Sequence, residues 1–393
     1  MNDQLMRELG ARFERADRVL FLVGGSVRDM ALGKPPKDFD FTTDALPNEI
    51  LGILRGWADA TWDVGARFGT IAAQKDGFDV EITTMRHDGP GRKPEVTFTD
   101  SLEEDLIRRD FSINAMAMQV DSAGLHGEIA DIIDPFNGRT DLFLELLKTP
   151  AEPWKTFTED PLRMLRAARF AGQLGFKVGN TEELSIHSNR ALIQSVSAER
   201  IAAELDKLLM GEFASKGIAV LAQTGLLTEI FGDLVLSADV RNLASIEARW
   251  ADLLHAVDPQ AVIALLKRLK MSTARIQAVS ELVAWNGRWG KVDWKSAPLS
   301  EVRRLVAAAG PQLARLEGLI DSDVLSRRVE SLLDTEGHPK PLLTGKEILM
   351  ALGVQPGPIV GKAQQFLWEL RLTEGALCKH HAAMLLKDWA DIS

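Results

Sequence analysis

Two aspartates, Asp38 and Asp40, stand two residues apart in the string KDFDFTT. In an extended strand residues i and i+2 share a face, so these carboxylates lie side by side while Phe39 and Phe41 turn to the opposite, buried face. Like charges held that close repel unless a cation neutralises them. Mg²⁺ suits such a pair, because it takes few carboxylates and completes its shell with water or substrate phosphate. Upstream, the apolar run VLFLV (Val19 to Val23) ends in Gly24-Gly25, the pattern of a buried strand entering a tight turn. Gly25 lets the backbone come close to a phosphate, and Arg28 adds a charge-assisted contact. Each signal alone is weak, since acidic pairs often sit on solvated strand ends. Their combination in this order is specific.

Arginines gather at two further places. Arg108 and Arg109 offer guanidinium forks to phosphate or ribose, and Asp110 is placed to orient an arginine or accept from a ribose hydroxyl. Asn114 lies four residues beyond Asp110, on the same side if the segment is helical. Arg108 has an equally good structural reading, a plain Arg–Asp pair. Farther on, Asp160, Arg163, Arg166 and Arg169 recur every three residues and share one broad helix face, with Pro161 in the first turn. Leu162, Leu165 and Phe170 supply the apolar face, so the charged one looks outward or into a cleft. The formal charge of −10 argues against a generally basic nucleic-acid surface. It leaves local cationic tracks open, because phosphate binding depends on where the cations lie.

The elements that must position these residues form an α+β fold. Strand candidates cluster before residue 140: VLFLV, DFDFTT, TIAAQ from Thr70, DVEITTM from Asp79, MAMQV from Met116 and EIADIID from Glu128. PNEILGIL and SLEEDLIR read as helices. Few long helices among many strands favour a small mixed, partly antiparallel sheet. After Pro161 the apolar spacing turns helical almost throughout, with EGHPKPLLTG (Glu336 to Gly345) as the clearest linker. With 393 residues the chain divides into an α/β head (1–140), then an all-α neck (141–235), body (236–335) and tail (336–393). Trp250, Trp285 and Trp289 are expected in helical core, and the single cysteine, Cys378, as a small, partly buried side chain that excludes a disulfide framework. No apolar run approaches the length that spans a bilayer, and the charged N-terminus lacks a signal-peptide core; a cytoplasmic location is expected.

The string GGSVRD…KDFDFTT resembles the signature of the class II nucleotidyltransferases, the tRNA nucleotidyltransferase and poly(A) polymerase family. EEDLIRRDFSINAMAM (Glu103 to Met118) resembles its second motif, DPFNGRTDL (Asp134 to Leu142) the segment that follows, and TEDPLRMLRAARFAGQLGF (Thr158 to Phe176) its nucleobase-recognition helix. The resemblance implies template-free addition of CCA to the 3′ end of tRNA from CTP and ATP, with release of pyrophosphate. It implies two Mg²⁺ ions at Asp38 and Asp40, the catalytic pair. Nucleotide contacts fall to Gly25, Arg28, Arg109, Asp110, Asn114, Asp160, Arg163, Arg166 and Arg169. In the family the first Asp and Arg of the recognition helix read the base. Asp160 would accept from the amino group of cytosine or adenine while Arg163 donates to the adjacent ring nitrogen. Guanine and uracil present the reverse pattern. Helices of the tail embrace the tRNA elbow. Glu81 is a candidate third carboxylate, with a structural role equally open.

Two segments depart from the family pattern. MRHDGPGRKPEV (Met85 to Val96) occupies the place of the loop used in switching from C to A addition, and it is shorter than usual. A CC-only enzyme and a poly(A) polymerase therefore stand as alternatives, although the retained Arg86, Asp88, Arg92, Lys93 and Glu95 favour full CCA addition. Near WADLLHAV, where some relatives carry a His-Asp metal hydrolase site, His255 is followed by Ala256, which reads as a degenerate helical remnant. The alternative from another class is a catalytically silent RNA-binding protein on the same fold, against which the joint retention of Asp38, Asp40, Arg109, Asp160 and Arg163 argues. Oligomeric state is not legible.

Overall fold

The computed structural model describes residues 3–36, 38–88, 96–125 and 131–392. Helix α1 (Asp3–Arg15) buries Leu5, Met6, Leu9 and Phe13, one apolar stripe at helical spacing. Strand β1 (Leu20–Val23) follows and runs through Gly24 into the short helix α2 (Gly25–Ala31). Then come β2 (Phe39–Thr43), α3 (Pro47–Leu54), β3 (Ala60–Trp62), β4 (Thr70–Lys75) and β5 (Phe78–Thr84). A hairpin, β6 (Arg86–Asp88) and β7 (Val96–Phe98), leads to α4 (Leu102–Ile107), β8 (Ala117–Asp121) and β9 (Gly124–Leu125).

Seven strands pair in the order β3-β4-β5-β2-β1-β8-β9. β2 and β5 run parallel, with Asp40 opposite Glu81; the other pairings are antiparallel. This is the mixed sheet that the strand pattern implies. The segment from Glu128 is the exception: residues 128–130 lie outside the described residues, and Ile133 makes only an isolated bridge to Ala117. The sequence did not single out β3, β9 or the hairpin strands. They are two or three residues long, and partner hydrogen bonds rather than a local apolar pattern define them.

Helix α5 (Gly138–Phe143) starts the passage to an all-helical region: α6 (Pro153–Glu159), α7 (Leu162–Leu174), α8 (Asn180–Asn189), α9 (Ala198–Leu209), α10 (Ala214–Gln223) and α11 (Leu226–Phe231). α7 is the axis of this region and packs on α9 and α10. Gly217 of α10 permits that approach, since a Cβ there would stand 2.6 Å from the carbonyl oxygen of Ala168.

The chain forms two compact units, Met1–Leu234 and Val235–Ser393. The second is helical from α12 (Ile246–Leu253) to the C-terminal helix Lys379–Ile392. Trp250 and Trp289 are buried in it and Trp285 partly so. The stretch Glu336 to Gly345 joins two helices that end and begin at those residues. Cys378 is exposed, contrary to the partly buried place expected of it. It sits at the mouth of the last helix, where its carbonyl accepts from Ala382 N–H and its side chain is left outside the apolar cluster of Ala382 and Leu386. His255 is exposed too, its Nδ1 2.8 Å from the carbonyl oxygen of Asp252.

Candidate functional site

Gly24 adopts φ 71° and ψ −134°, a conformation that side chains other than glycine's disfavour. A Cβ there would meet Arg109 Nη1 at 3.0 Å and Asp40 Oδ2 at 3.8 Å. The positive φ and the closeness of the Arg109 guanidinium both favour a bare turn, while the Asp40 oxygen stands at ordinary contact distance. Ser26, one residue into α2, clasps the turn to the start of β2. Its Oγ donates to the carbonyl of Asp38 (2.7 Å) and accepts from the N–H of Asp40 (3.5 Å). The sequence displays Ser26 within the motif, but this clasp depends on a contact across twelve residues.

Arg28 is held on two sides. It donates to Asp29 Oδ1 (2.7 and 2.9 Å) and to Asn114 Oδ1 (2.8 Å). Asn114 in turn donates to Asp110 Oδ1 (2.9 Å), so the four-residue spacing does bring them together, through a 3₁₀ turn (Ser112–Asn114) rather than an α-helix. Asp110 is buried and fully engaged: Phe111 N–H reaches Oδ1, and the Nε and Nη2 of Arg166 both reach Oδ2. Burial raises its pKa, but Arg166 outweighs that and holds it at about 2. Asp110 therefore orients an arginine, the first of its two expected duties. Asp134 and Asp141, from the DPFNGRTDL segment, are structural here. Asp134 caps α5 through Gly138 and Arg139 N–H, and Asp141 accepts from Ser112, beside Asn114.

The helix expected to recognise the base is α7, and Asp160 lies just outside it in an extended conformation (φ −135°, ψ 96°) rather than on the helix face. Pro161 is the reason, because its ring disfavours helical dihedrals in the residue before it. Asp160 Oδ1 accepts from Leu162 N–H (3.2 Å) and Oδ2 from Arg200 (3.3 Å) of α9. Arg163 donates to the carbonyls of Thr156 (3.4 Å) and Arg108. Arg169 is buried beside Glu204, with Nε–Oε2 at 3.0 Å but without hydrogen-bond alignment. Burial and then Arg166 lower its pKa to about 10. Phe170 stands among these cations, 4.1 Å from the Arg169 guanidinium carbon, 5.5 Å from that of Arg28 and 5.6 Å from that of Arg166. It also packs edge-on against Phe111 of the head.

These residues surround one cavity of about 430 Å³, lined by Gly24, Gly25, Arg28, Asp40, Arg108, Arg109, Asp110, Asn114, Asp160, Arg163, Arg166 and Arg169, among others. Gln173 and Arg200 complete its wall, and the sequence pattern did not mark either of them. Asp38 lines an adjoining cavity that shares Gly25, Arg28, Asp40 and Gln173 with the first. Arg108 donates Nε and Nη2 to buried Asp105 Oδ1 (2.9 and 2.6 Å), which is the structural pair of the two readings, although the residue still lines the cavity. Arg109 touches the other oxygen of Asp105 through Nη2 (3.2 Å), while its buried Nε has no hydrogen-bond partner among the described residues.

The carboxylates fit a hard cation. Among the described residues neither Asp38 nor Asp40 has a side-chain ion pair within 4.0 Å, so their oxygens are not committed to protein donors. Burial pushes the Asp40 carboxyl above its usual pKa and Asp38 adds to this, against the opposing charges of Arg109 and Arg28. Glu81, opposite Asp40 in the parallel register, is raised by burial and by both aspartates. It does not complete a group of three metal-ligating side chains among the described residues. Two carboxylates remain, a donor set that Mg²⁺ commonly completes with substrate phosphate.

Fold and cavity together define the class: Asp40 of β2 lines an arginine-rich recess and Asp38, just before the strand, lines the cavity that adjoins it, as in enzymes that transfer nucleotides. Residues 20–148 match the poly A polymerase head domain, and residues 175–236 match the probable RNA and SrmB-binding site of polymerase A. The CCA-adding enzyme of Geobacillus thermodenitrificans is 36% identical over 372 residues, covering 88% of this chain and 87% of the relative. That of Limosilactobacillus fermentum is 33% identical, covering 96% and 94%. The crystal structure of the Bacillus stearothermophilus CCA-adding enzyme in complex with CTP superposes with a TM-score of 0.81 at 30% identity, over 99% of this chain and 98% of that one. The chain belongs to the CCA-adding enzyme family of nucleotidyltransferases.

Proposed function

We propose that this protein adds CCA to the 3′ end of tRNA, one nucleotide at a time, from CTP and ATP with release of pyrophosphate. The observation that carries the reading is the single cavity in which Asp40, Arg28 and Arg109 of the head meet Asp160 and Arg163 at the start of α7. Asp160 and Arg163 keep spare capacity for a base. A carboxylate accepts at about four sites and Asp160 uses two; a guanidinium has five N–H donors and Arg163 uses two. Cytosine and adenine satisfy both groups, whereas uracil and guanine leave them unpaired, at about 1–3 kcal/mol for each group. Arg28, Arg109 and Arg169 supply positive charge for the triphosphate, and the Asp110–Arg166 pair holds the recognition helix against the head.

Asp38 and Asp40 are the residues that would hold Mg²⁺, as a two-ion site. Bound there, the ions would supply charge neutralisation at the phosphates and a lower pKa for the attacking hydroxyl. The chain's own part is to hold the backbone at Asp38 and Asp40 through the Ser26 clasp and to leave their side chains free of ion pairs to other described residues. In this reading the head spans residues 1–140, the neck 141–235, the body 236–335 and the tail 336–393, and the tail's task is to bind the tRNA elbow. Among the described residues no helix is long and apolar enough to cross a membrane.

Incubation with tRNA lacking its CCA end, first with each NTP alone and then with CTP and ATP together, tests this. CTP incorporation followed by a single A supports it. ATP tailing without CTP would make the protein a poly(A) polymerase, arrest after two C residues a CC-only enzyme, and no incorporation a silent RNA-binding protein.

A further inference from the structure

Asp105 has no duty in the reaction outlined above, yet it is a carboxylate with no exposed side-chain surface that collects donors from three separate segments. Oδ1 accepts from Arg108 through Nε and Nη2 and from the backbone N–H of Arg86, the first residue of the hairpin (3.4 Å). Oδ2 accepts from Arg109 Nη2 (3.2 Å) and from Thr42 Oγ1 (3.3 Å). Thr42 lies two residues beyond Asp40 on β2, on the same face by strand alternation. The two-pronged contact of Arg108 already balances the charge of Asp105. The bond to Arg109 is therefore not needed for neutralisation; what it does is fix where that guanidinium sits. Its other terminal nitrogen, Nη1, is the atom that crowds Gly24, on the Asp40 side of the cavity.

We propose that Asp105 is a positioning residue, which sets Arg109 relative to the Asp40 strand and fastens both to the base of the hairpin. Arg109 lines the cavity, and a guanidinium held there by one carboxylate oxygen is oriented before a ligand arrives. The inference rests on the reading of Arg109 as a nucleotide contact.

A double-mutant cycle separates the two ideas. The kcat/KM for CTP with CCA-less tRNA is measured for the wild type, Asp105→Asn, Arg109→Ala and the double variant, with melting temperatures alongside. Asp105→Asn keeps the volume and loses the charge; a loss of about 10- to 100-fold is expected, as for hydrogen bonds to charged groups. In the Arg109→Ala background the same change should cost less than about threefold. A merely architectural Asp105 would give losses that multiply, and that result overturns the proposal while leaving Arg109 in place. Wild-type activity in Arg109→Ala would sink the nucleotide reading of Arg109 and this inference with it. If Asp105→Asn does not fold, Thr42→Val takes its place, removing the hydroxyl whose one proton is shared between Asp105 Oδ2 (3.3 Å) and the Thr83 carbonyl (3.1 Å) and leaving the charge of Asp105 intact. A loss of about two- to fivefold that disappears without Arg109 supports the positioning role, and a loss that persists refutes it.

Discussion

Asp110→Asn tests whether the buried head-to-neck ion pair does what its geometry says. The carboxylate accepts from Phe111, Asn114 and, with two nitrogens, Arg166. Its pKa falls from 3.8 to about 2. That difference corresponds to about 2 kcal/mol of stability linked to ionisation. Because the folded-state value is depressed, the contribution is fully present above the unfolded pKa near 4 and drains away as pH falls towards about 2. The asparagine variant should therefore be less stable by about 2 kcal/mol at pH 7. The gap should narrow between about pH 4 and 2, where the wild type loses the same term. Urea unfolding read by hydrogen exchange in peptides of α7 reports on the helix that Arg166 belongs to, and so on the relevant part of the molecule. A gap that stays constant across the acid range, or no gap at neutral pH, would show that the Arg166 pair is not what holds the carboxylate ionised.

Three further outcomes follow from the same geometry. Gly24→Ala meets both a positive φ, which costs about 1–3 kcal/mol, and the Arg109 guanidinium, so nucleotide incorporation should fall at least about tenfold while circular dichroism stays native. Arg163→Ala removes the donor for the ring nitrogen, and competition assays should show the preference for CTP over UTP dropping by about 10- to 100-fold, whereas wild-type discrimination would exclude it from base reading. Because burial raises the Asp40 pKa and Arg109 opposes that rise, an NMR titration of the Mg²⁺-free protein should find the Asp40 carboxyl above the range of an ordinary aspartate. Its midpoint should move to still higher pH in Arg109→Ala; a midpoint that does not move would show that Arg109 does not act on Asp40.

The parts of the site that the sequence discloses are those built by local geometry. Arg163, Arg166 and Arg169 repeat along one helix, so spacing alone aligns them, and Asp40 is on β2 as the alternation implies; Asp38 is not, because β2 begins at Phe39 and Asp38 sits exposed in the bend before it. Asp110 with Asn114 is a four-residue contact and equally legible. Arg200 and Gln173 reach the cavity because α9 and the later turns of α7 pack where they do, and no periodicity announces that. Asp105 reads as one acid among three in EEDL. Only folding buries it and leaves Glu103 and Glu104 nearer the solvent. The hairpin and β3 escaped notice for a related reason: two or three residues carry too little pattern, and pairing creates them.

The lining of the main cavity includes seven arginines against three aspartates, inside a chain whose formal charge is −10. A polyanion approaching from most directions meets repulsion, and over the mouth of this recess it meets a concentrated positive field. The field acts as a funnel that admits productive encounters and turns others away. Screening at high ionic strength weakens the funnel and the repulsion together. Raising the salt should therefore slow capture of correctly oriented ends while letting misdirected collisions last longer, a loss of orientational selectivity beyond any simple loss of affinity.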